Sequence, residues 1–132
     1  GVAVHGLRVP DFIAVGAANT FGHGATVEYA GRVKIDGSTL DRFAQVTIDY
    51  DETLERELAA QLNPEHGRDW AITVQSYRRA ARQLGLRLLV TPRASLNGAR
   101  ALRVGLPRSQ IIDNLIRRGM DQASWEKLEA YA

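Results

Sequence analysis

Trp70, Val74, Tyr77, Ala81 and Leu84 recur at spacings of four, three, four and three, and no other feature restricts this chain as much. Side chains spaced this way share one side of an α-helix, whereas a strand would scatter them over two faces. Leu54, Leu58 and Leu62 repeat every four residues just upstream, so a helix is expected from Thr53 with these leucines as its apolar side. Asn63-Pro64-Glu65-His66-Gly67 breaks that helix, as a proline and a glycine together should. Gly85 ends the Trp70 helix. Leu86–Val90 alternates poorly and reads as a short connecting segment. Thr91-Pro92-Arg93 then opens another helix, with threonine at the N-cap and proline at the first helical position. Ala94, Ala99 and Ala101 allow that helix to pack closely. After Gly105-Leu106-Pro107, Ile111, Ile112, Leu115 and Ile116 form one more apolar face. Gly119 closes it, Asp121 caps a last helix, and Trp125 and Leu128 bury its face. Residues 53–132 thus read as a helical bundle, with Arg78, Arg79 and Arg82 expected on a solvated side.

The first part of the chain has a different pattern. Phe12 to Ala18 is a short apolar run without alternation that ends abruptly at Asn19-Thr20, the pattern of a strand buried on both faces of a parallel sheet. Gln45-Val46-Thr47-Ile48 reads as a second strand. Between them lies a polar insertion with Gly22, Gly24, Gly31 and Gly37, then a short helix from Thr39 to Phe43 that Asp36 or Ser38 can cap. Asp49-Tyr50-Asp51-Glu52 ends the second strand and caps the helix after it, which explains three clustered carboxylates without a metal ion. Two domains are therefore expected, 1–52 and 53–132. Fold class is α+β but mostly α: about two strands at the end of an αβα core, then a helical bundle.

Charge follows the same division. Residues 1–52 carry four Lys/Arg against seven Asp/Glu, and residues 53–132 carry thirteen against eight. This modest basic excess suits solvated helix faces and a contact or two with phosphate better than nucleic acid as a direct ligand. No apolar run approaches the roughly 18 residues that would cross a membrane, and the absence of cysteine fits a reducing cytoplasm. His5, His23 and His66 have no serine or cysteine nucleophile with an orienting acid at a workable spacing.

Several short pieces occur in a meaningful order: Ala17-Ala18-Asn19-Thr20, Gly22-His23-Gly24, Tyr29-Ala30-Gly31-Arg32, Leu40-Asp41-Arg42-Phe43, Asp49-Tyr50-Asp51 and Thr91-Pro92-Arg93-Ala94-Ser95. Together they resemble the segment from sensor 1 to the lid of an AAA+ ATPase of the MoxR type, in the branch of the CbbQ/NorQ activators and the CobS cobaltochelatase subunit. The resemblance covers nearly the whole chain. It implies that Asn19 is sensor 1, orienting the attacking water, with Thr20 beside the nucleotide. It implies that Arg42 is an arginine finger reaching the nucleotide of an adjacent subunit, with Arg32 as a second cation in trans. Arg93 would be sensor 2, contacting phosphates of nucleotide in its own subunit. Each residue also has a plainer role open to it. Asn19 could cap a turn, Arg42 could pair with Asp41 or Asp36, and Arg93 could be a surface arginine.

The resemblance also implies what is missing. GxxxxGK[ST] and an apolar run ending in an acidic pair do not occur here, and in that family they lie upstream of sensor 1. The expectation is a C-terminal part of a Mg²⁺-ATP-driven ring, a hexamer, that remodels or activates a client protein. This chain alone would bind no ATP or Mg²⁺ and would not hydrolyse ATP. The alternative is a non-enzymatic helical adaptor or a DNA-associated module built on the basic 53–132 segment.

Overall fold

The computed structural model describes residues 13, 15–17 and 36–132. By contacts the chain divides into two units, Gly1–Arg42 and Phe43–Ala132. In the first, the described part contains one short helix, α1 (Gly37–Leu40). Asp36 occupies its N-cap and accepts the Ser38 hydroxyl. α1 begins two residues before the expected Thr39, and Asp41 to Phe43 form a turn instead of continuing the helix.

The second unit is helical: α2 (Glu52–Leu62), α3 (Gly67–Gln83), α4 (Pro92–Arg103), α5 (Arg108–Leu115) and α6 (Gln122–Tyr131). The Asp51 carboxylate starts α2 by accepting from the backbone N–H of Thr53 and Leu54, at 3.0 and 2.9 Å. α3 ends with Gly85 at φ 61°, and the Leu86 N–H returns to the Ala81 carbonyl at 3.0 Å, so the last turn is closed by a left-handed residue that glycine adopts without strain. Asp121 caps α6 through the Ser124 N–H at 2.9 Å. α2, α3 and α4 pack against one another, α5 joins α4, and α6 joins α3. The core is formed by Trp70, Val74, Ala99, Ile111, Ile116, Trp125 and Leu128 among others, and the Tyr77 and Trp125 rings stack with centroids 5.5 Å apart.

Neither expected strand is present among the described residues. Gln45–Ile48 carries no ladder, and Val46 and Ile48 are exposed. A strand exists only by pairing, and no described residue offers these four a partner. Of the Phe12–Ala18 run only Ile13, Val15, Gly16 and Ala17 are described, and none is in a strand. The first domain's αβα core is accordingly not seen, while the helical 53–132 segment is.

Two helix faces also differ from expectation. α2 buries Glu55 and Ala59, whereas Leu54 and Leu58 are exposed; the buried face is rotated by one residue from the leucine repeat. Glu55 is turned inward where Arg78 and Gln75 of α3 hold it, and Gly67 lets the start of α3 approach α2 so closely that a Cβ there would sit 2.0 Å from the Ala59 carbonyl oxygen. Arg78 is buried on α3 rather than solvated.

Candidate functional site

The buried Arg78 is the centre of a polar network that holds α4 in place. Its guanidinium forks onto Glu55, with Nη2 to Oε1 at 2.7 Å and Nη1 to Oε2 at 2.8 Å. Its Nε donates to the Val90 carbonyl at 2.8 Å. Glu55, only 3% exposed, also accepts the Ser95 hydroxyl and the Gln75 amide. Burial alone would push the Glu55 carboxyl up, but the hydrogen bonds from Arg78, Ser95 and Gln75 outweigh it and hold the group below the usual glutamate range. Paired guanidinium forks of this kind fix geometry as well as charge. Arg79 pairs with Glu52 at 2.9 Å and Arg82 with Asp49 at 3.6 Å, and the Arg78 and Arg82 guanidinium groups lie over the Tyr50 ring. Arg78, Arg79 and Arg82 of α3 are therefore matched by carboxylates.

Two further contacts fix the first turn of α4. The Trp70 indole N–H donates to the Ala94 carbonyl at 3.0 Å. Trp70 lies against Gly98, where a Cβ would stand 2.1 Å from the indole nitrogen. With Ala94 and Ser95 drawn inward, Arg93 faces outward and is exposed. Thr91 is the N-cap and Pro92 begins the helix, as the sequence indicates.

Arg93 lines an open cleft of about 470 Å³. Arg87, from the segment between α3 and α4, and Arg118, just past α5, line it too. Thr91 and Asn97 supply polar groups, while Leu88, Leu115 and Ile116 provide apolar wall. No acidic residue lines the cleft among the described residues. Arg118 donates Nε and Nη2 to the Asn114 carbonyl at 3.0 and 2.8 Å, a contact that leaves its charge uncompensated. Asn97 accepts from Arg100 through Oδ1 at 3.1 Å, so its amide N–H groups remain available as donors. Three arginines with no described acid beside them make the cleft attractive to an anion.

Arg42 is exposed immediately after α1 and makes no ion pair with Asp36 or Asp41. Asn19, Thr20 and Arg32 lie outside the described residues. Among the described residues, no group of three His, Asp or Glu could hold a metal ion, and no helix is long and apolar enough to cross a membrane. Arg87 and Arg118 went unmarked in the sequence because they sit in separate connecting segments, outside any motif. Their shared property, arginines flanking the start and the partner of the Arg93 helix, becomes visible only when α4 and α5 pack. No known protein family, curated protein or solved structure matches this chain.

Proposed function

We propose that this chain is the C-terminal part of a MoxR-type AAA+ ATPase, one that contributes to ATP hydrolysis without performing it alone. In this reading Asn19 orients the attacking water, Thr20 lies beside the nucleotide, and Arg42 reaches an adjacent subunit's nucleotide in trans with Arg32 as a second cation. Arg93 contacts phosphates of nucleotide held by its own subunit. The ring would be a hexamer, driven by Mg²⁺-ATP and acting on a client protein. The αβα core of residues 1–52, with its two strands, and the cytoplasmic location belong to the same proposal.

One observation carries the reading: the Thr91-Pro92-Arg93-Ala94-Ser95 segment turns a single arginine outward over a cleft with no acid among its described lining residues, while burying its two successors. A residue meant to feel phosphate charge needs this placement, because a guanidinium already neutralised by a carboxylate has little left to offer a ligand. The exposed Arg42, unpaired with either neighbouring aspartate, is suited in the same way to spread charge on a transferring phosphoryl group.

The test is an ATPase assay in which this chain is mixed with an intact MoxR-type subunit whose own Leu-Asp-Arg-Phe arginine has been replaced. Restored turnover with the wild-type chain and none with Arg42→Ala is the expected result. Failure of the wild-type chain to restore turnover, together with salt-sensitive binding to duplex DNA, would replace this reading by the basic helical adaptor.

A further inference from the structure

We infer that Arg87, Arg93 and Arg118 form a phosphate-binding site within the helical unit, able to hold the phosphate chain of a small ligand without help from another chain. Arg93 is shared with the ATPase reading, whose phosphate contact this inference extends, whereas Arg87 and Arg118 belong to none of the motifs behind it. The site would make the chain bind a phosphate-bearing ligand unaided, contrary to the sequence-based expectation of no binding.

Three features support the site. The first is charge: three arginines line one open cleft with no Asp or Glu among its described lining residues, while the arginines of α3 at 78, 79 and 82 all have carboxylate partners. Converging like charges in a cleft repel each other and raise the local affinity for an anion. The second is free donor capacity. Arg118 keeps its Nη1 donors after its two bonds to the Asn114 carbonyl, and Arg87 and Arg93 make no side-chain bond to another described residue. The third is shape. A cleft of about 470 Å³ with Leu115 and Ile116 on one wall admits a short phosphate chain and part of an organic body. The shared chemistry is a di- or triphosphate group, from a nucleotide or as free polyphosphate.

The experiment is isothermal titration of the full chain with tripolyphosphate and, separately, with ATP at near-physiological salt. Saturable one-to-one binding is expected. Arg118→Gln and Arg87→Gln should each weaken it about five- to tenfold, the loss for a charge-assisted hydrogen bond at an exposed site, and Arg93→Gln at least as much. Arg68→Gln removes an exposed arginine of α3 outside the cleft and should change affinity less than about twofold. Equal affinity for both ligands identifies free polyphosphate as sufficient, and tighter binding of ATP identifies a nucleotide. The proposal is overturned if neither ligand saturates the chain, if Arg68→Gln weakens binding as much as the cleft variants, or if duplex DNA binds more tightly and is sensitive to the same three arginines. Because the titration involves no second subunit, its failure would leave the Arg42 complementation result standing, and the reverse also holds.

Discussion

Glu55 and Arg78 sit where two charges are costly, and each makes the other tolerable. Removing one leaves its partner buried and uncompensated, so Arg78→Met or Glu55→Ala should cost about 3–5 kcal/mol, read as a fall in the urea midpoint with an unchanged slope. The pair also gives stability a pH dependence of known sign. An unperturbed glutamate titrates near 4.5 and Glu55 is held lower when folded. The unfolded chain therefore takes up the proton first. The contribution is complete above the unfolded value and is lost as pH falls through it towards the folded one. Urea midpoints followed from about pH 7 to about pH 3 should drop in that acid window, and the Glu55→Gln variant should lose this part of the drop. None of this was legible in the sequence. Arg78 sits beside Arg79 in a helix whose apolar stripe runs through Val74, Tyr77 and Ala81, and its partner is on another helix 23 positions away. Only the packing of α2 on α3 turns an ordinary surface arginine into a buried one.

At the scale of elements, starts and stops were legible because they depend on local chemistry. Asp51, Thr91-Pro92, Gly85 and Asp121 all stand where their capping or turn preferences put them. The orientation of α2 was not, since the leucine repeat and the buried face differ by one residue. Close approach between elements is hidden in the same way, because it depends on glycines that the periodicity cannot reveal. Gly67 and Gly98 each occupy a position where a Cβ would overlap a neighbour by more than an ångström of normal contact. At Gly98 the neighbour is the fully buried Trp70 ring, which has no room to swing away. Gly98→Ala should therefore destabilise the protein by about 1–3 kcal/mol or more, although alanine is intrinsically the better helix former. Leu54→Gln on the exposed side of α2 should change stability by less than about 0.5 kcal/mol, whereas Ala59→Leu on the buried side should be strongly destabilising. Thermal unfolding of these three variants distinguishes the observed orientation from the one the leucines suggest, because the leucine-inward orientation would reverse the order of Leu54→Gln and Ala59→Leu.

Across the whole molecule, the core is confined to one stretch of sequence. Every buried apolar residue among those described lies between Ala59 and Leu128, and among the described residues ahead of α2, Asp49 and Tyr50 engage α3. The helical unit Phe43–Ala132 therefore has the caps, the core and the Glu55–Arg78 network it needs, and all three phosphate-binding arginines lie within it. A chain starting at Phe43 should unfold in a single cooperative transition. Its midpoint should lie within about 4 °C of the full chain's, the shift that roughly 1 kcal/mol produces in a domain of this size. Circular dichroism at 222 nm on both chains, with tripolyphosphate present and absent, measures this directly. A larger drop would mean that residues 1–42 stabilise the helices through contacts beyond the core described above. Loss of the ligand-induced rise in midpoint in the shorter chain alone would place part of the anion site in those residues. Retention of both quantities would mean that fold and phosphate grip are properties of the helices themselves.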